Sequence, residues 1–436
     1  MEMEQKKISK DLIYQALFFL LTLSIPLGYY LFPFEAGPIS IFGFRILLVI
    51  SIVVLLINKD LVFWGGKFSK RLFWIMAIWI LYAAGSYFIV IDHRAYFQEV
   101  FLLIKGLLIL LVFQSFFTKV KQAGKIFLSA WISGMVIQLI ICFIEMTYAA
   151  HFSGNFIDVL NEYPSGDLVR FIPVGTFDNP NNLSLYLLVT TALLLLLFKI
   201  KPDRKEFWMS GLILCVVIIL NTHSRFANII LVIMLIFSLL FYISKQYFKT
   251  LFKNKRYIAL LGLSIAIAFA MIFYNGIQLM EAIETRISGE NFSNEVRMNL
   301  IKNGWDFFVN SNGLGIGAGN FESYIAQGRG AFETHGIINS HNWLIQILSQ
   351  YGILITLLLA FWLIHFLIVG LKLILAEHHS RTAAYYWLCT TYMLLLVYVP
   401  LSCMPSNFLN NKFNWLILFM SAYFLDNYHK IKEHGI

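Results

Sequence analysis

Trp343 to Leu375 reads WLIQILSQYGILITLLLAFWLIHFLIVGLKLIL, an apolar run whose one charged residue is Lys372. About 18 such residues, rising about 1.5 Å each as a helix, are enough to cross roughly 30 Å of hydrocarbon. The run is too long for one perpendicular crossing and is expected to tilt or to extend beyond the bilayer. Comparable runs lie near 12–32, 39–57, 72–90, 96–117, 124–149, 183–198, 207–221, 226–243, 257–275, 383–403 and 412–428. They are continuous rather than alternating, which excludes a β-barrel. Hydrophobic residues make up 59% of the 436 positions and charged ones 13%, about half the charge of a soluble domain. The expected fold is an all-α polytopic membrane protein of about twelve transmembrane helices, a single membrane domain over residues 1–436.

The net charge of +9 suggests nucleic acid only in a soluble chain; here the basic residues lie between spans, and no nucleic-acid partner is expected. With the N-terminus in the cytoplasm, 23 of the 33 Lys and Arg residues fall on the cytoplasmic side and nine on the outer side, counting Arg45, with Lys105 inside a span. That asymmetry is what the positive-inside rule requires of an even number of spans with both ends cytoplasmic. The first span lacks a small-residue cleavage site after its basic start and reads as a retained anchor. Cys142, Cys215, Cys389 and Cys403 all lie in apolar runs, without disulfide or metal spacing. Two outer segments then stand out by size, 150–182 and 276–342, the second a large helical loop.

Within 276–342, positions 294–310 read as an amphipathic helix with Val296, Leu300, Phe307 and Phe308 on one side and Asn291, Ser293 or Asn294 as its cap. Arg297 stands in its first turn, where the helix dipole disfavours a cation. It is either a plain surface arginine or one placed to meet an anion. Gly313-Leu314-Gly315-Ile316-Gly317-Ala318-Gly319 has the wrong spacing for a dinucleotide loop. A close-packed turn is the favoured reading, with phosphate contact by its N–H groups the alternative. His341, at the lip of the 343–375 run, is either an interfacial residue or a base able to take a proton near neutral pH; His335 competes for that role.

Thr222-His223-Ser224-Arg225 is squeezed between two spans with almost no loop. Arginine there can anchor to headgroups, but an inward-facing ionisable group at membrane depth is functional by default. Gly175-Thr176-Phe177-Asp178-Asn179-Pro180-Asn181 fits a turn and helix cap, and its asparagines are also placed to bind sugar hydroxyls. Arg45 and Lys105 need partners or a wet cavity, and Glu99 and Glu145 are candidate partners for Lys105. Arg170, in the 150–182 segment, is a further candidate contact for substrate. Paired outer carboxylates for a metal, nucleophile motifs and nucleotide loops are missing, so no metal and no cofactor is expected.

Taken in order, these motifs resemble the O-antigen ligase and polymerase superfamily of bacterial envelope glycan enzymes. The matching residues are Gly175 to Asn181, Ser224-Arg225, Arg297, Gly315 to Phe321, and His341-Asn342 followed by Gly352, with Thr356 one position off its usual place. The resemblance implies a GT-C-like fold and a metal-independent, inverting glycosyltransferase in the bacterial cytoplasmic membrane, working at its outer face. It implies an undecaprenyl-diphosphate-linked glycan donor, a glycan acceptor and membrane lipids as partners, with a chain-length regulator as a further one. Arg225 and Arg297 would hold the diphosphate and His341 would act as base. Asn342, Asn339, His223, Asn179, Asn181, Arg45 and Arg170 would serve substrate binding, and Glu322 is an alternative partner for His341. Polymerisation of repeat units is the leading reading; ligation of a finished glycan to a lipid or protein acceptor is the alternative. A lipid-linked glycan flippase is a third reading, against which stands the lack of half-to-half similarity.

Overall fold

The computed structural model describes residues 2–27, 34–36, 39–152, 168–177, 179–242, 295–398 and 409–434. Helices α1 (Glu2–Leu23), α2 (Gly43–Ile57), α3 (Lys67–Gly85), α4 (His93–Lys119), α5 (Ala123–Tyr148), α6 (Pro180–Ile200), α7 (Lys205–Asn221) and α8 (Arg225–Tyr242) come first. After them come α9 over 295–310, α10 (Asn320–Ala326), α11 (Trp343–Glu377), α12 (Ala383–Met393), α13 (Lys412–Asp426) and α14 (Tyr428–His434). The all-α membrane class is observed. Among the described residues, α3, α4, α5, α6 and α11 are each long and apolar enough to span a bilayer. The expected stretch at 257–275 lies outside the described residues, as does Cys403; the other three cysteines are buried thiols.

Two departures from the expected pattern have local causes. The stretch expected to begin at 39 begins its helix only at Gly43, because Phe34–Ala36 (β1) and Ile39–Ile41 (β2) pair antiparallel with Ala36 opposite Ile39. Gly37-Pro38 between them suits a turn, and proline cannot lie inside a helix without breaking it. The long run from 343 is one helix interrupted at Gly352, whose φ of 68° and ψ of −168° are non-helical. Its excess length is thus divided into two pieces at a glycine.

Burial separates interior from lipid-facing helices. From Leu183 to Leu197, α6 is buried on every side except at Leu195, and α13 is buried throughout from Phe413 to Leu425, as expected of helices apolar all round. By contrast, Leu354, Leu357, Phe361, Ile364 and Ile368 of α11 are exposed and recur every three to four residues, a stripe that only lipid can cover without cost. Polar groups tie the bundle at one end. Asp60 meets Lys119 at 3.1 Å and accepts from Tyr14 at 2.8 Å, and Asp426 accepts from the Phe68 and Ser69 amides at 2.8 Å each. The site described next lies at the other end. A depression lined by Lys67, Phe68, Lys372 and His429 sits with the Asp426 end and has no part in it.

Candidate functional site

The outer loop builds a small core of its own. Val296, Leu300 and Phe307 of α9 pack with Ile316, Phe321 and Ile325, so three of the four residues expected on one helical side are buried there and Phe308 is half-buried. Asn303, fully buried, donates to the Phe332 carbonyl at 2.8 Å and accepts from its amide at 2.9 Å. The expected caps Asn291, Ser293 and Asn294 lie outside the described residues.

Gly313–Gly319 fastens this loop to the bundle, backbone against backbone. The Ile316 and Gly317 amides donate to the Ser349 and Gln350 carbonyls at 2.8 and 3.0 Å, and the Ile353 amide donates to the Gly313 carbonyl at 3.0 Å. Breaking α11 at Gly352 is what exposes those carbonyls. A Cβ on Gly315 would lie 2.6 Å from the Gln350 oxygen, and one on Gly352 only 2.4 Å from the Gly313 and Leu314 oxygens. Further along, the Ala318 amide donates to Ser86 Oγ at 3.1 Å, and Asn320 Oδ1 accepts from the Ile91 amide at 3.0 Å. The close-packed turn is therefore what this stretch forms. Its alternative, a phosphate loop, is overturned because the amides of Gly315 to Ala318 are already donated to protein oxygens.

His341 closes the same body. Its backbone takes φ of 47°, a costly conformation for a non-glycine residue. Asn339 holds it there by accepting from the His341 amide at 3.0 Å while donating to Glu322 Oε1 at 2.8 Å. Burial raises the Glu322 carboxyl above its usual range, and the Asn339 hydrogen bond opposes that shift. The imidazole Nδ1 faces inward, away from solvent. Asn342 is the helix cap of α11, its oxygen accepting from the Leu344 and Ile345 amides at 3.1 and 3.2 Å. The competing His335 is more open, 38% exposed, and pairs with Glu333 at 3.2 Å.

Arg297 lies over the ring of Phe226, 5.7 Å from guanidinium to centroid, within cation–π range. Phe226 follows Arg225, the first residue of α8, so the head of the outer-loop helix meets the head of α8. The Arg225 side chain lies outside the described atoms. The turn before it is as tight as expected: His223 is left-handed and exposed, and Thr222 and Ser224 are buried. Two turns along α9 from Arg297, about 10 Å, a Cβ on Gly304 would lie 2.6 Å from Ile345 Cγ1, one turn beyond His341. Arg297, Glu322, Asn339 and His341 thus belong to one packed unit, docked where Arg225 begins its helix. Within such a unit a guanidinium such as that of Arg297 can stabilise an anionic leaving group, and an imidazole such as that of His341 can accept a proton from a hydroxyl.

A second polar group forms at the 175–181 turn. Glu145 Oε2 accepts from the Val174 and Gly175 amides at 2.9 and 2.7 Å. Gln138 accepts from the Thr176 amide at 3.1 Å and donates to the Pro26 carbonyl at 2.9 Å. Asn179 caps α6 by accepting from the Asn182 amide at 2.9 Å, and the Asn181 carbonyl accepts from Ser184 at 2.8 Å. Asp178 lies outside the described residues. His151, which the sequence reading missed, stands 3.2 Å from Glu145 Oε1 through Nδ1 and 2.7 Å from the Arg170 carbonyl through Nε2. Both neighbours are acceptors, so only the imidazolium can donate to both. Burial pulls its pKa down, but the Glu145 and Arg170 hydrogen bonds outweigh that and raise it. A histidine six residues after an intramembrane glutamate was the available signal.

Arg45 donates to the Ser40 carbonyl and lies over Phe42 and Phe101, at 4.7 and 4.8 Å. Neither glutamate suggested for Lys105 bonds to it. Glu99 accepts from Gln350 Nε2 at 3.0 Å and Tyr351 Oη at 3.1 Å, Glu145 is bound as above, and Lys105 donates to the Asn410 carbonyl at 3.0 Å.

Residues 210–360, from α7 through the outer loop to the first half of α11, match the family model described as O-antigen ligase. That segment carries Arg225, Arg297, the glycine turn, His341 and Gly352. That match agrees with the resemblance to the O-antigen ligase and polymerase superfamily carried by the motifs. It is also similar to the Bacillus subtilis protein named teichuronic acid biosynthesis protein TuaE, with 23% identity over 359 residues covering 80% of this chain and 72% of that protein. The partial family match, the likeness to TuaE and the apolar helices support a membrane protein with a role of the O-antigen ligase or polymerase type in polysaccharide biosynthesis.

Proposed function

We propose that this protein is a metal-independent, inverting glycosyltransferase that polymerises undecaprenyl-diphosphate-linked oligosaccharide repeat units into a surface polysaccharide. The proposed plan has twelve spans in a GT-C-like arrangement, both termini cytoplasmic and the active site on the outer face of the cytoplasmic membrane. What carries the reading is the contact of Arg297 with the residue beside Arg225, in the same packed unit that holds His341 through Asn339 and Glu322. A diphosphate is already a good leaving group. The transition state needs its accumulating charge stabilised, which forked guanidinium groups do. The acceptor hydroxyl must lose its proton as it attacks the anomeric carbon, and His341 is the proposed base, contributing about 10²–10⁴-fold. His223, Asn339 and Asn342 border this centre as proposed substrate contacts. The likeness to a protein named for teichuronic acid biosynthesis favours a cell-envelope polymer as product.

The test is purified protein in lipid supplied with lipid-linked repeat units. A ladder of lengthening glycans is expected. A single transfer to a distinct acceptor would make the enzyme a ligase, and lipid movement across vesicles without bond formation would make it a flippase. His341→Ala should abolish turnover and leave donor binding largely intact, and Arg225→Lys should fail substantially because a point charge does not replace a fork. Activity that requires added Mg²⁺ and disappears with chelator would refute the metal-free route.

A further inference from the structure

Glu99 lies in α4 about two turns beyond its cap, Asp92, 5% exposed and turned into the bundle. An inward-facing ionisable group at membrane depth is functional by default, and the transfer chemistry proposed above leaves this one unused. Its Oε1 accepts both from Gln350 Nε2 at 3.0 Å and from Tyr351 Oη at 3.1 Å. Both donors stand immediately before Gly352, where α11 breaks. The ring of Tyr351, fully buried, also meets Trp79 of α3 edge to face at 5.3 Å. One carboxyl oxygen from α4 thus takes the last two side chains before the break.

The break cuts off Trp343–Tyr351 as a piece of about two and a half turns, too short to hold its direction by its own hydrogen bonds. Asn342 fixes its head through the Leu344 and Ile345 amides, next to His341. Glu99 fixes its foot. The backbone at that foot is what the outer loop grips, because the Ser349 and Gln350 carbonyls accept from the Ile316 and Gly317 amides. From there the loop runs through Gly319 into α10, whose Glu322 accepts from the Asn339 side chain that holds the His341 amide. Just ahead of α4, the Ile91 amide donates to Asn320 Oδ1 at the start of the same short helix. A shift of Gln350 and Tyr351 therefore reaches His341 by two routes, along the helical piece and through the loop.

We propose that Glu99 is a positioning residue for the transfer reaction: it sets the foot of the Trp343–Tyr351 piece, and so the place of His341, without touching substrate. This rests on the reading of His341 as base. Turnover of lipid-linked repeat units by the full chain in lipid, with hydrogen exchange read alongside, tests it. Glu99→Ala leaves two buried donors without an acceptor and should lower kcat by about 10²-fold. KM should stay within about twofold, because substrate binding is left to other residues, and the Ile316 and Gly317 amides should exchange faster. Glu99→Gln keeps an acceptor oxygen and should retain most of kcat; the NH2 it brings meets an amide whose own oxygen, Gln350 Oε1, is buried without a hydrogen-bond partner among the described residues. Tyr351→Phe deletes one oxygen atom, a change the fold tolerates more readily than Glu99→Ala, and should lower kcat by about tenfold. An unchanged kcat in Glu99→Ala or Tyr351→Phe, a loss confined to KM, or an equal loss in Glu99→Gln and Glu99→Ala would overturn the proposal. If the unaltered protein forms no glycan bond, the transferase reading falls and this inference with it; if it turns over and Glu99→Ala matches it, only this inference falls.

Discussion

Replacing Gly352 by alanine strikes the joint between the outer loop and α11. The new Cβ would lie 2.4 Å from the Gly313 and Leu314 oxygens, so the two segments must part by about 1 Å to reach ordinary contact. Alanine is also strained at φ of 68° and ψ of −168°, by about 1–3 kcal/mol. Parting the segments breaks the bonds from Ile316 to Ser349, Gly317 to Gln350 and Ile353 to Gly313, at about 1 kcal/mol each. A local loss of about 3 kcal/mol from those bonds alone corresponds to roughly 10²-fold faster exchange of the three amides. The same 1 Å shift at a base positioned by this loop lowers turnover by on the order of 10²-fold. Hydrogen exchange with mass spectrometry on the protein in detergent, alongside turnover, reads both. Gly328→Ala is the control: its φ of 70° brings similar backbone strain, but nothing lies within 4 Å of the added atom, so those three amides should exchange as before. Unaltered exchange at Ile316, Gly317 and Ile353 in Gly352→Ala would refute the reasoning.

Asn339→Ala removes the acceptor that holds the His341 backbone and should lower kcat with little change in KM; an unchanged kcat, or a loss confined to KM, would argue against the positioning role. The raised pKa of His151 means the folded state binds its proton more tightly than the unfolded chain. Its contribution to stability is full below the ordinary value of 6.5 and is lost as pH rises through the folded one. Thermal melts should show that alkaline decline, and His151→Gln should flatten it. Asp60 runs the other way: burial opposes ionisation, but hydrogen bonds from Lys10, Tyr14 and Lys119 lower its pKa from 3.8 to about 2. Its stabilisation should therefore be full above about 3.8 and be lost as pH falls from there through about 2, and Asp60→Asn should remove that acid-dependent part of the melt.

The helices were legible because apolar length is a one-dimensional property, and α4, α5 and α6 begin within three residues of their expected starts. The pairing of Phe34–Ala36 with Ile39–Ile41 was not, since the apolar runs were drawn to 32 and from 39, and a three-residue strand starting at 39 has the same apolar character as the helix that follows it. The break at Gly352 was hidden for a related reason. One glycine in a helical run is tolerable in sequence terms, and only the arrival of Gly313 and Leu314 explains its conformation. The glycine turn and the Asn179 cap were readable from local chemistry. The partners of Glu99, Glu145 and Lys105 were not, because Gln350, Tyr351, His151 and Asn410 reach them from remote positions in the chain.

The glycine joint also imposes an order of assembly on the nascent chain. Residues 313–319 emerge before Ser349, Gln350 and Gly352, whose backbone they need, whereas Ser86 and Ile91 are already in place to receive them. The loop can be hung on the α3–α4 corner early, but it is closed only after the first turns of α11 have been synthesised. A chain terminated before Ile353 would therefore carry Arg297 and His341 on a flap that never shuts.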